Sequence, residues 1–410
     1  MHGNTTEGPR GSSQRLRAVQ APVIPIVAGW IREHPGTISL GQGVVYYGPP
    51  AGVGEAVSRC LADPANHIYK SVQGIPELRR AIAAKLEAEN AIHADPDARI
   101  VVTAGANMGF MNAVPAIADP GDEIILLTPY YFNYEMAVNI SGCRAVCVAT
   151  DRDYQPQLDA IRAAITKRTR AIVTISPNNP TGVVYPEETI RAINALCGEA
   201  GIYHIHDEAY EYFTWDGARS FSPGSIPGSD AHTIELFSLS KAYGFASWRI
   251  GWMVIPEDLL GSVIKIQDTN LICPPVVSQH AAVAAMAEGR PCIEHELAEI
   301  AGARSLVHDQ LETIADFCRT PPAAGAFYLL LQLDLDIPPM ELARRLVAEH
   351  RVAGIPGSAF GVDESCSLRI AFGAMRRDDV AEAMGRLVRG LRAIREEIGG
   401  SAPSREAGTP

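Results

Sequence analysis

The stretch SLSKAYGFASWRIGW, residues 238–252, sets two cations in a run otherwise suited to a protein interior. Lys241 sits among small and aromatic residues, and Arg249 follows eight positions later. A buried cation is costly unless it is paired or put to use. Just before Lys241 comes TIELFSL, a β-rich run, so the lysine stands where a strand is expected to end. Whatever meets these two charges has to come from elsewhere in the chain or from outside it.

Working outward, the same texture recurs. RIVVTA is followed by NMGFMNAVPAIA, and DEIILL by FNYEMAVNIS. RAIVTIS and IYHIH are further β-rich runs, while GIPELRRAIAAKLEAEN, QLDAIRAAI and PEETIRAINALCGEA have helical spacing. Alternating strands and helices predict an α/β fold with a mostly parallel, buried sheet. Near residue 290 the texture changes: IEHELAEIAGARSLVHDQLETIADF reads as one long amphipathic helix. GAFYLLLQLDL, MELARRLVAEH and SLRIAFG with a final helix then read as a smaller α+β unit. The expected organisation is a tail at 1–13, an arm and part of a small domain at 14–49, and a large domain at 50–290. A small C-terminal domain at 291–398 and a second tail at 399–410 complete it, the tails being rich in Gly, Ser, Pro and Glu.

Bulk properties exclude several classes. The chain has 410 residues, 47% hydrophobic and 20% charged, enough for a large core. A formal net charge of −12 argues against general affinity for nucleic acid or anionic membranes. No run of about 18 apolar residues suggests a membrane span, and the first residues lack the apolar core of a secretory signal. Eight cysteines lie at 60, 143, 147, 197, 273, 292, 318 and 366, with no zinc-knuckle or redox spacing. They predict free thiols in a cytoplasmic protein.

In open α/β sheets, ligands bind beyond the carboxyl ends of the strands. After RIVVTA comes Gly105-Ala106-Asn107 at a helix start: a plain turn, or backbone N–H groups offered to an anion. After DEIILLTP come Tyr130 and Tyr131, core residues or a stacking platform. After RAIVTIS comes PNNPTG, a turn that includes Asn179. After IYHIH comes Asp207, an N-cap or a buried paired acid, with Tyr210 three residues on. After TIELFSL come Ser240 and Lys241. Taken together, an anion nest, an aromatic, an Asn, an Asp and a Lys fit a planar, phosphorylated, nitrogen-containing cofactor, pyridoxal phosphate. That cofactor needs a lysine amine, an acid for its ring nitrogen, and cations and N–H groups for its phosphate.

SLSKAYGFASWRIG, PNNPTG, DEAY and SLRIAFG, in this order, resemble the class I/II aminotransferases of the aspartate-aminotransferase fold, fold type I. The resemblance covers the chain apart from its tails. It implies a large domain with a mostly parallel seven-stranded sheet flanked by helices, and a smaller α+β domain built from both chain ends. It implies transfer of an amino group between an L-amino acid and a 2-oxo acid by a ping-pong cycle. Lys241 then resembles the Schiff-base lysine and proton shuttle, and Asp207 the partner of the pyridine nitrogen. Tyr210 and Asn179 resemble the pair on the ring's phenolic oxygen. Ser238, Arg249 and the backbone of Gly105, Ala106 and Asn107 resemble the phosphate cup, with Tyr131 at the stacking position. Arg369 resembles the arginine that grips the substrate α-carboxylate, bidentately as lysine cannot; Asn179 and Gly43, in the N-terminal loop, belong to the same substrate site. Tyr69 resembles a tyrosine that reaches the partner subunit's cofactor phosphate, which implies a homodimer with composite sites.

The sequence departs from the family pattern in GQGVVYYGPP, where Val45 stands at a frequent proline and Tyr46 and Tyr47 add bulk near where side chains are sorted. Residues 267–289 contain no Arg or Lys to meet a distal carboxylate. Both features lean toward neutral or aromatic amino acids rather than strict aspartate. A lyase or cyclase of the same fold, similar to 1-aminocyclopropane-1-carboxylate synthase, would share every residue named and is the alternative. A ligand-sensing regulator module would need a basic DNA-binding segment, and a nicotinamide dehydrogenase a glycine fingerprint that GQGVVYYG does not supply. His204 and His206 share one strand face but lack a third ligand, so no metal is expected.

Overall fold

The computed structural model describes residues 13–400. Its centre is a seven-stranded sheet of β1 (Ile100–Thr103), β2 (Glu123–Thr128), β3 (Arg144–Ala149), β4 (Thr169–Ile175), β5 (Tyr203–Asp207), β6 (Thr233–Ser238) and β7 (Gly251–Val254). The spatial order is β1-β7-β6-β5-β4-β2-β3. β7 runs antiparallel to both its neighbours and every other pairing is parallel. β1 and β6 therefore point the same way as β4 and β5, and their carboxyl ends share one edge.

The strands read as continuous apolar runs because helices cover both faces. β1 and β7 are buried at every position, whereas β3, the sheet's outer strand, is largely open and leaves Cys147 exposed. The helix Ala106–Ile117 follows β1 through Gly105, whose φ of 84° suits a residue without Cβ. The helix Glu187–Ala200 between β4 and β5 ends on Gly201 at φ 66°.

A second, antiparallel sheet is built from β8 (Cys318–Arg319), β9 (Tyr328–Leu333), β10 (Ile355–Pro356) and β11 (Ser367–Ala371), in the order β10-β11-β9-β8. Residues Ile38–Ser39 pair in parallel with Val352–Ala353, tying an early segment to a late one. The long amphipathic run forms the helix Glu294–Glu312, which packs on the last helix, Arg377–Gly400. That last helix continues through Gly399 and Gly400, two residues past the point where composition starts a tail. Of the two tails, residues 1–12 and 401–410 lie outside the described residues. No helix among the described residues is long and apolar enough to cross a membrane.

His204 and His206 do face one side of β5, where the Thr174 hydroxyl bridges them, 2.8 Å from His204 Nε2 and 2.6 Å from His206 Nδ1. Burial pushes both imidazoles well below the ordinary histidine range. They are neutral core histidines held by a hydroxyl. Among the described residues no group of three or more His, Cys, Asp or Glu is placed to hold a metal ion.

Candidate active site

The strand ends converge because of register. Asp207 sits opposite Ile175 on one side and Leu236 on the other, and Ser238 and Thr103 both sit opposite Gly251. Side chains just past these positions meet in a cavity of about 240 Å³. Of the sequence-selected residues, Ala106, Asn107, Tyr131, Asn179, Asp207, Tyr210, Ser238, Lys241 and Arg249 line it. Gly105, Gly43 and Arg369 stand immediately around it, each bonded to or touching a lining residue or its partner.

Lys241 Nζ donates to the Gly43 carbonyl at 2.6 Å and lies 5.6 Å from the Tyr210 ring. Its pKa is pushed down to about 8, first by burial, then by the Arg369 charge, with Arg249 adding and Asp207 opposing. Asp207 is fixed from both sides: Oδ2 accepts from the Tyr134 hydroxyl and Oδ1 from the Ala209 N–H at 2.8 Å. Burial nevertheless raises its pKa, outweighing those two bonds and Lys241. A base such as a ring nitrogen, set beside such a carboxyl, would form an ion pair with it.

Arg249 adopts φ 55° and donates to the Ala104 carbonyl at 2.9 Å and the Ala246 carbonyl at 3.0 Å. It also lies 3.4 Å from Ser240 Oγ. A Cβ on Gly105 would come 2.2 Å from Arg249 Nη2, so the glycine admits the guanidinium to the helix N-terminus. That terminus offers backbone N–H groups with no side-chain cap. A guanidinium, two serine hydroxyls and a helix N-terminus form a donor set suited to a dianionic phosphate.

PNNPTG folds on itself through Asn178, whose Oδ1 accepts from the Thr181 N–H at 3.1 Å and its hydroxyl at 2.7 Å. Gly182, at φ 76°, abuts the Tyr328 carbonyl, which a Cβ would approach to 2.3 Å. Asn179 is thereby presented to the cavity. Its Nδ2 is 3.4 Å from the Tyr210 hydroxyl and its Oδ1 accepts from Arg369 Nη1 at 3.0 Å. Arg369 is 2% exposed, donates from Nη2 to the Gly41 carbonyl at 2.8 Å, and is flanked by the Tyr328 and Phe360 rings. Its Nε has no partner. Bonded to Asn179, which lines the cavity, this guanidinium keeps a buried donor that a carboxylate could satisfy.

Tyr131 is held by Asn133 Nδ2 at 2.8 Å and Asn107 Nδ2 at 3.5 Å. Tyr69 lies apart from this cavity and is 76% exposed. The loop reading needs a correction: Val44 lines the cavity and Tyr46 and Tyr47 do not. Their hydroxyls are committed elsewhere, Tyr46 to the Glu296 carboxylate and Tyr47 to the Ala242 carbonyl at 2.9 Å. Sequence reasoning passed over Tyr134 and Tyr328 as site residues, and named Ser240 at the strand end without giving it a role. Tyr134 and Tyr328 carry no local marker of a site, since both sit in runs that read as core.

An amine at a strand end, a buried acid, an anion nest and a guanidinium with one free N–H are thus grouped at one edge of the sheet. The comparisons with known proteins agree. Residues 35–387 match the family model for aminotransferase class I and II. The aromatic aminotransferase ISS1 of Arabidopsis thaliana is 32% identical, over 93% of this chain and 96% of its own. The aspartate aminotransferase from Thermus thermophilus with maleate superposes with a TM-score of 0.87 at 30% identity, covering 93% of this chain and all of that one. The aromatic aminotransferase from Pyrococcus horikoshii OT3 gives 0.83 at 31% identity, covering 90% and 99%. This chain belongs to the class I and II aminotransferase family and is an aminotransferase.

Proposed function

We propose that the cavity binds pyridoxal 5′-phosphate and that the enzyme moves amino groups between a neutral or aromatic L-amino acid and a 2-oxo acid. One observation carries this reading: Lys241, Asp207, Tyr210 and the Arg249 nest face one cavity, and Arg369, whose Nε has no partner, is bonded to its lining residue Asn179. When bound, the cofactor supplies an electron sink for the bonds at the substrate Cα. Arg369 would grip the α-carboxylate and so orient the substrate in the site that Lys241 shares. Lys241 is the residue that would tie the cofactor covalently and, once freed, its amine would serve as the base for the proton at the substrate Cα. Asp207 would pair with the ring nitrogen, Tyr210 and Asn179 would meet the phenolic oxygen, and Tyr131 would stack on the ring. Arg249, Ser238 and the backbone at Gly105, Ala106 and Asn107 would hold the phosphate.

Support for the substrate class is the wall. Val44 is its loop residue, and the cavity's cations, Lys241 and Arg249, are both committed to the cofactor in this reading. A distal carboxylate would enter without a partner. Relatives named for aromatic substrates fit this, although others are named for aspartate. The loaded enzyme mixed with phenylalanine or tyrosine should change absorbance to that of the aminated cofactor, and with aspartate at least about tenfold more slowly, one hydrophobic pocket's worth of discrimination. A panel in which aspartate reacts fastest overturns the substrate class, and one in which no amino acid reacts overturns the activity.

The depressed pKa of Lys241 gives a second expectation. An amine with a pKa near 8 is mostly charged below that pH and mostly neutral above it. Covalent capture of pyridoxal phosphate by apoenzyme should therefore quicken as pH rises, with a midpoint near 8, as read by the cofactor's absorbance. A midpoint near the ordinary lysine value of about 10.4 means that Lys241 is not desolvated.

We also propose a homodimer with composite sites. Exposed Tyr69, Ile68 and Leu61 line a groove with Cys273–Val277, an apolar surface of the kind that a second copy covers. Tyr69 would reach the partner subunit's phosphate from there. In the same reading, residues 50–290 form the cofactor-binding domain, with 14–49 and 291–398 in the smaller one. The free thiols fit a cytoplasmic location.

A further inference from the structure

Tyr328 touches three parts of the site without lining the cavity. On β9 and β11 it is paired with Ala371, and Leu330 with Arg369, so Tyr328 and Arg369 are diagonal neighbours on one sheet face. Its ring lies 4.7 Å from the Arg369 guanidinium. Its hydroxyl is 3.0 Å from that of Tyr210, the two rings meeting edge to face at 5.4 Å. A Cβ on Gly43 would sit 2.6 Å from the same hydroxyl, and it is the Gly43 carbonyl that takes Lys241. The side chain is 1% exposed.

A phenol has one proton and two lone pairs. Asn179 Nδ2 is a donor only, and it already faces the Tyr210 oxygen. If Tyr328 donates as well, both lone pairs of Tyr210 are taken and its proton must leave toward the cavity. If Tyr210 donates to Tyr328 instead, a phenolic oxygen in the cavity loses its donor. An anionic oxygen there selects the first arrangement, because hydrogen bonds to charge are the stronger ones. Each donor in such a chain polarises the next.

Resting on the cofactor reading above, we infer that Tyr328 is a positioning residue. Its hydroxyl donates to Tyr210 and aims that residue's single proton at the cofactor's phenolic oxygen, while its ring packs on the Arg369 guanidinium. Without it Tyr210 is a weaker donor. The phenolic oxygen then keeps more negative charge, and the nitrogen joining the cofactor to Lys241 holds its proton to higher pH.

The test is Tyr328→Phe, which removes one oxygen and keeps the ring over Arg369. In the loaded enzyme, the pH midpoint of the visible absorbance should rise by about half a unit, the size expected of cooperative polarisation. Tyr210→Phe should raise it further, and adding Tyr328→Phe to that variant should change nothing more. Affinity for the unreactive carboxylate hydrocinnamate should stay within about twofold in Tyr328→Phe, since the ring contact survives. An unchanged midpoint, a shift that persists in the Tyr210→Phe background, or a tenfold loss of hydrocinnamate affinity overturns the role of Tyr328 alone. A wild-type enzyme that binds pyridoxal phosphate but shows no pH-dependent absorbance, or does not bind it, overturns the cofactor reading itself.

Discussion

Lys241→Ala should abolish turnover, by about 10⁴-fold or more, while the protein still folds and still binds pyridoxal phosphate. Two functions end with one amine: the covalent tie to the cofactor and the base that moves the substrate proton. General base catalysis alone contributes about 10² to 10⁴, and loss of the covalent route adds to it. Binding should survive because the phosphate donors, Arg249, Ser238, Ser240 and the helix N-terminus at Ala106, do not depend on Lys241. Folding should survive because Lys241 is a desolvated cation whose main bond is to one loop carbonyl, that of Gly43. Removing a buried charge together with its desolvation cost is seldom a large loss. The variant should therefore hold its cofactor without a covalent bond, so that borohydride reduction leaves no label on the chain. Turnover within tenfold of wild type, or a covalent label retained elsewhere, shows that another residue carries the chemistry.

How much of this was legible in the sequence follows from where the information lies. Strands and helices were readable because buried parallel strands are unbroken apolar runs and the helices between them keep a 3.6-residue period. Chemistry at strand ends was readable because Lys241, Asp207 and Asn179 each interrupt or terminate such a run. Tyr134 and Tyr328 were not readable. Each is an aromatic in an apolar segment, and only the tertiary approach of its hydroxyl to Asp207 or to Tyr210 distinguishes it from a core residue. The misreading of Tyr46 and Tyr47 has the same root. Adjacency in sequence to Gly43 suggested the cavity, but the backbone turns there, and Glu296, from a helix some 250 residues on, takes the Tyr46 hydroxyl. Long-range partners are not encoded in local pattern. The orphan Nε of Arg369 is also invisible to sequence, since it is defined by what the surrounding atoms fail to supply.

Asp207→Asn should cost about 10³-fold in turnover, the scale of removing one preorganised charge from a developing transition state, and should not cost stability. Asn matches Asp in shape: its Oδ1 can still accept from the Ala209 N–H, and its Nδ2 can donate to the Tyr134 hydroxyl oxygen, which turns from donor to acceptor. What it cannot do is share a proton with a ring nitrogen. The stability arm has a definite sign. Burial raises the Asp207 pKa above the unfolded value, so above about pH 4 the unfolded chain has released a proton that the folded apoenzyme still holds. Stability of the wild-type apoenzyme then falls with rising pH until the folded group also titrates. Asn carries no such penalty, so the variant apoenzyme should melt at the same temperature as wild type at pH 3 and at a higher one near neutrality. Chemistry and stability thus move in opposite directions at one position, as expected of a group held in an unfavourable state for use. A cofactor analogue methylated on the ring nitrogen carries the positive charge permanently. It should restore part of the turnover to Asp207→Ala, which leaves room for the methyl, and none to wild type. Loss of less than tenfold in Asp207→Asn, or a melting temperature below wild type at neutral pH, would mean that Asp207 is a structural carboxyl serving Tyr134 and the Ala209 backbone.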